Sequence, residues 1–145
     1  MDEIEKSDEF NAEMVKTYPH GERKLAVEIG QYSLAASADF GQGPARHKAL
    51  TTYISPYGME IQGTKDYPEG TLLKIAVSLP DYWNRKKKFV DYNRVDVPGD
   101  FKLLAKVVGS QELGKRGKKR LILVQTVNID EVDEKVLKAF LQEGK

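Results

Sequence analysis

Two clusters in this sequence combine residue types that can hold a ligand or a partner. The first is the hexapeptide Tyr53-Ile54-Ser55-Pro56-Tyr57-Gly58, which sets a hydroxyl in a turn between two strand-like segments. Pro56 presets φ for such a turn and Gly58 can take φ > 0, so the segment is a backbone corner with a polar tip. Tyr53 and Tyr57 can stack on a base there, or serve as the core or rim of a small barrel. Upstream stand Arg23 and Lys24, just before the first strand-like segment. Arg23 can fork onto a phosphate, or be a solvated strand start. The second cluster is Arg85-Lys86-Lys87-Lys88 with Tyr82, Trp83, Phe89 and Tyr92 around it. Cations beside rings suit RNA or single-stranded DNA, where phosphates meet charge and bases stack. Exposed aromatics with arginine equally suit a protein interface, and a net charge of +1 favours that second reading. His20 and His47 have no partner at ligand spacing, which argues against a metal or general-base role. With no nucleophile beside a base and no phosphate-cradling glycine loop, we expect no catalysis.

The elements that must position these residues are mostly short strands. The 145 residues, 40% hydrophobic and 31% charged, suffice for one globular domain. No cysteine is present, which excludes disulfides and thiolate metal sites. The N-terminus lacks the layout of a secretory signal and no apolar run reaches the roughly 18 residues of a membrane span, so a soluble, cytoplasmic protein is expected. Residues 1–19 form an acidic arm, flexible or weakly helical, and residues 20–145 form the domain. Leu25, Val27 and Ile29 alternate as a first strand, and residues 31–39 suit a second. Leu50, Thr52 and Ile54 alternate with Ala49, Thr51 and Tyr53 before the corner, and Met59 and Ile61 with Glu60 and Gln62 after it. Leu73, Ile75, Val77 and Leu79 give the clearest alternation, closed by Pro80. Residues 80–100 have no clean period and read as an insertion. Two further strands, residues 101–108 and 120–129, flank a basic hairpin tip at residues 114–119. Val132, Val136, Leu137, Phe140 and Leu141 then fall at helical spacing over about residues 131–142, with Asp130 as cap. The fold class is therefore mainly β: a small antiparallel barrel of six or seven strands with a C-terminal amphipathic helix.

This order resembles PilZ domains over about Gly21 to Leu141. The matching features are a basic lead segment, the Ser-x-x-Gly corner at Ser55 and Gly58, a strand ending near Leu79-Pro80, a late hairpin, and a closing helix that ends in Phe140-Leu141. The resemblance implies a barrel that binds cyclic di-GMP and passes the signal to a protein partner, or an adaptor that has lost the ligand. Its ligand residues would be Arg23, Lys24, Ser55 and Gly58, and no cofactor is implied beyond that dinucleotide.

The family's two signatures are thinned here. Its Arg-x-x-x-Arg supplies planar forks for phosphate and for the guanine edge. If Arg23 takes the second position, Pro19 stands at the first; if Lys24 does, His20 stands at the first. Tyr53 occupies the position where the family has Asp or Asn. Losing one fork and one acceptor removes roughly 3–6 kcal/mol at ~1.5–3 per charge-assisted contact, or roughly 10²- to 10⁴-fold in affinity. The resemblance thus implies a signalling adaptor with a weakened or lost dinucleotide site. Its protein partner would meet the insertion at Tyr82, Trp83, Arg85, Phe89 and Tyr92. Nucleic-acid binding through the same insertion is the alternative, disfavoured by the near-neutral charge.

Overall fold

A computed structural model describes residues 11–31, 47–89, 101–113 and 119–143. Among these residues six strands, β1 (Ala26–Gln31), β2 (His47–Ile54), β3 (Gly58–Gly63), β4 (Leu72–Val77), β5 (Phe101–Leu113) and β6 (Lys119–Ile129), close into one antiparallel barrel ordered β1-β2-β3-β6-β5-β4. Among the described residues three helices accompany it: α1 (Ala12–Lys16), α2 (Tyr82–Lys86) and α3 (Glu131–Gln142). β1 completes the closure, with Ala26 opposite Leu50 on one side and Val27 opposite Val77 on the other. The strand expected over residues 31–39 touches the described residues only at Gln31, where β1 ends. Residues 32–39 lie outside them, as do most of the acidic arm, Tyr92 and the hairpin tip at 114–118.

The alternating apolar residues explain why the sheet closes. Val27 and Ile29, Leu73, Ile75 and Val77, Phe101, Leu103, Ala105 and Val107, and Ile122 and Val124 are all buried in one core. Each large one contributes about 1.5–3 kcal/mol relative to exposure. β2 departs from the sequence alternation, which groups Leu50, Thr52 and Ile54 on one face. A bulge between Thr51 and Tyr53 shifts the pairing with β3, so that Thr51 and Ile54 are both fully buried while Leu50 is 48% exposed. β5 also runs past residue 108 to Leu113, into positions where burial no longer alternates, while β6 starts one residue earlier than the sequence pattern indicates, at Lys119.

The helices pack against different parts of the barrel. The Asp130 carboxylate accepts from the Val132 and Asp133 N–H groups at 3.0 and 3.2 Å and starts α3. Val136, Leu137, Phe140 and Leu141 then join the barrel core. α2, the described part of the insertion, is fastened to α3. The Tyr82 hydroxyl donates to Asp133 Oδ1 at 2.6 Å, and Lys86 Nζ stands 2.9 Å from that hydroxyl and 3.5 Å from the same carboxylate oxygen. α1 belongs to the acidic arm, yet its Val15 is fully buried and its Lys16 pairs with Glu60 at 3.2 Å. Glu60, itself largely buried, also accepts from Thr52 Oγ1 at 2.6 Å, so α1 covers the outer face of β2 and β3.

Candidate functional site

The loop between α1 and β1 is held in place by backbone contacts that the sequence does not advertise. The Gly21 N–H donates to the Tyr18 carbonyl at 3.0 Å, and the Ile54 N–H donates to the Gly21 carbonyl at 2.8 Å. A Cβ on Gly21 would stand 2.7 Å from the Ile54 carbonyl oxygen, closer than atoms can approach, so the loop lies against the end of β2 only because this residue is glycine. The Thr51 hydroxyl donates to the Arg23 carbonyl at 2.6 Å and accepts from the Leu25 N–H at 2.9 Å. Arg23 is thereby fixed beside β2, one strand end away from the Ser55–Gly58 corner.

The Arg23 side chain runs to the C-terminal end of α3. Its Nε donates to the His20 carbonyl at 3.1 Å, where His20 holds a left-handed φ of 61°. Its Cζ stands 4.4 Å from the centre of the Phe140 ring. Its Nη2 is buried and has no hydrogen-bond partner. From the other side of the chain, Arg85 of α2 brings its Cζ to 4.9 Å from the same ring centre. Arg85 Nε donates to the Pro80 carbonyl at 2.8 Å and its Nη1 meets Glu143 Oε2 at 2.6 Å. That bond, first, holds the Glu143 carboxyl below its ordinary range, helped by the charges of Arg85, Lys88 and Arg23. The Phe140 ring thus lies within cation–π distance of two guanidinium groups.

The corner is built chiefly from its own hydrogen bonds. Ser55 is fully buried. Its hydroxyl accepts from the Tyr57 and Gly58 N–H groups at 3.1 and 3.2 Å and lies 3.1 Å from the Gly58 carbonyl. The Ser55 N–H donates to that same carbonyl at 2.9 Å. Gly58 opens β3 and is buried there; the left-handed conformation that the sequence suggests is not used, positive φ among the described residues being confined to His20, Asp81 and Gly70. Pro56 is buried behind the turn, and Tyr57, 51% exposed, sets its ring edge-on to Tyr18 with centroids 5.9 Å apart. Tyr53 lies under the Lys16 ammonium at 5.9 Å.

Arg23 and the corner therefore share one end of the barrel, and Lys24 is exposed next to Arg23. Of the residues assigned to partner contact, Tyr82 and Arg85 are engaged with α3 and Phe140, Trp83 is half-buried with contacts of its own, and Phe89 is 39% exposed. Sequence reasoning placed Arg85 in the insertion and Arg23 in the lead segment without joining them. Thr51, Glu143 and the ring of Phe140 were not recognised as parts of this site; the aromatic at the end of the closing helix was the one signal for it. Among the described residues no group of acidic or histidine side chains is arranged to hold a metal ion, and no helix is long and apolar enough to cross a membrane.

No family model matches the sequence, and no curated protein matches it. Solved structures do. The inhibitor of motility MotI/DgrA of Bacillus subtilis aligns with a TM-score of 0.56 at 14% identity, over 84% of this chain and 47% of its own. MrkH of K. pneumonia aligns with a TM-score of 0.56 at 10% identity, over 87% and 47%. This chain thus spans about half the length of either. The PilZ domain of YcgR from Escherichia coli, solved with c-di-GMP, aligns with a TM-score of 0.50 at 13% identity, over 82% of this chain and 80% of that one. With its closed six-strand barrel, its Ser-x-x-Gly corner and its closing helix, the chain has the fold of a PilZ domain.

Proposed function

We propose that this domain is a non-catalytic signalling adaptor of the cyclic di-GMP class, with a reduced dinucleotide site and a protein partner as its output. The observation that carries this reading is Arg23. It lies where the basic lead segment meets the corner, held by Gly21 and Thr51, with one guanidinium nitrogen buried and unpaired. A guanidinium so placed, with a free donor and a ring beneath it, suits a phosphate or a purine edge. Its local sequence supplies no second fork, and Ser55 spends its hydroxyl on the turn, so Ser55 and Gly58 act by shaping the rim while Lys24 adds charge. The expected affinity is weaker than that of a site with both arginines in the lead segment and an acidic or amide acceptor at position 53 by roughly 10²-fold or more.

Calorimetric titration with c-di-GMP tests this. Binding in the range of about 100 μM or weaker, reduced further in Arg23→Ala, is expected. Low-micromolar binding abolished by Arg23→Ala would make the chain a full receptor and defeat the reduced-site reading. The partner face would include the exposed Phe89 with the half-buried Trp83 of α2 beside it. Nucleic acid is not the expected ligand, because a nearly neutral domain lacks the charge for it.

A further inference from the structure

We infer that Arg23 and Arg85 form one two-guanidinium anion site over Phe140, that Glu143 occupies it as an internal carboxylate, and that a cyclic purine dinucleotide enters by displacing Glu143. This rests on the ligand class proposed above and adds the second fork and its competitor.

The sequence motif seeks both arginines within one short segment, but the fold supplies the second from α2, far along the chain. Both Cζ atoms stand over one ring, at 4.4 and 4.9 Å. Each fork is anchored by its Nε to a backbone carbonyl, Arg23 to His20 and Arg85 to Pro80, which leaves the terminal nitrogens for other partners. One of these, Arg23 Nη2, is buried without a partner, and another, Arg85 Nη1, holds Glu143 at 2.6 Å. A carboxylate there does for Arg85 what a phosphate oxygen would do. Glu143 can leave at little cost: its side chain is 54% exposed and it ends α3, whereas the Arg85 side chain is only 17% exposed. Anchoring by Pro80 keeps the fork in position once Glu143 swings out. Lys88 and Arg23 add to the positive field that Glu143 feels and would act equally on a phosphodiester.

The experiment compares c-di-GMP affinity, by calorimetry at low salt, of the wild type with Glu143→Gln, Glu143→Gln/Arg85→Lys and Glu143→Gln/Arg23→Lys. Glu134→Gln, on the same helix but paired with Lys138, is the control, and thermal melts verify folding of each. Removing an exposed carboxylate from its partner is expected to tighten binding by about threefold or more. Lysine keeps the charge and lacks the fork, so either double variant is expected to lose that gain. An unchanged affinity in Glu143→Gln, a gain retained with Arg85→Lys, or an equal gain in Glu134→Gln would each overturn the inference. None of these touches the reduced-site reading, which fails separately if the wild type already binds at low micromolar concentration through Arg23.

Discussion

Replacing Ser55 by alanine separates a rim that shapes the site from a rim that grips the ligand. Its hydroxyl makes three contacts at 3.1–3.2 Å inside a fully buried turn. Two of the groups involved keep other partners: the Gly58 N–H still reaches the Ser55 carbonyl at 3.3 Å, and the Gly58 carbonyl still accepts from the Ser55 N–H at 2.9 Å. The Tyr57 N–H does not, and leaving one partly buried donor unsatisfied costs about 1–2 kcal/mol. For a chain of this size that lowers Tm by about 2–8 °C. Calorimetric or circular-dichroism melts, read beside a c-di-GMP titration, give both quantities. The expected outcome is a lower Tm with ligand affinity changed by less than about threefold. An unchanged Tm together with a loss of affinity of tenfold or more, on the order of 1.4 kcal/mol, would refute the reasoning and make the hydroxyl a ligand contact.

Three further outcomes are expected. Gly21→Ala must push the lead loop off the Ile54 carbonyl, which a Cβ would meet at 2.7 Å; it should destabilise the chain by about 1–3 kcal/mol in urea unfolding and weaken c-di-GMP binding through displaced Arg23. Tyr82→Phe removes the 2.6 Å bond to Asp133; a loss of about 1–2 kcal/mol and faster amide exchange over residues 82–89 are expected, whereas unchanged exchange would mean that α2 is held by other contacts. Burial pushes the Tyr67 phenol above its ordinary value of 10.0, and its hydroxyl has no hydrogen-bond partner. The folded chain therefore keeps that proton longer than the unfolded one, so the contribution is intact below the unfolded value and is lost as pH rises through the folded one. Urea melts across that alkaline window should show declining stability in the wild type and a flatter profile in Tyr67→Phe.

The barrel was legible because strands with a buried face alternate, and this chain alternates plainly at Leu73, Ile75 and Val77 and again at Leu103, Ala105 and Val107. The closing helix was legible from Val136, Leu137, Phe140 and Leu141 and from the Asp130 cap. The bulge in β2 was not, since residues 50–54 keep a smooth alternation in sequence and only pairing with β3 shows that Thr51 and Ile54 share a face. The corner was read correctly as a turn but for a partly different reason: Gly58 serves by lying buried at the start of β3, without a left-handed φ. Half of the candidate site was visible as Arg23 beside a Ser-x-x-Gly corner. The other half was hidden because Arg23 and Arg85 come to the Phe140 ring only through tertiary packing, and a basic run beside aromatics reads as a partner or nucleic-acid surface until α2 is seen docked on α3.

Nitrogen-detected NMR of the arginine Nε groups during titration with c-di-GMP addresses the location of the site most directly. The Arg23 and Arg85 signals are expected to move together, saturating along one binding curve, while Arg120, at the opposite end of β3 beside Asp66, stays in place. Movement of Arg120 with Arg23 and Arg85 unmoved would contradict the account, because the anion would then be held away from the Phe140 end of the barrel.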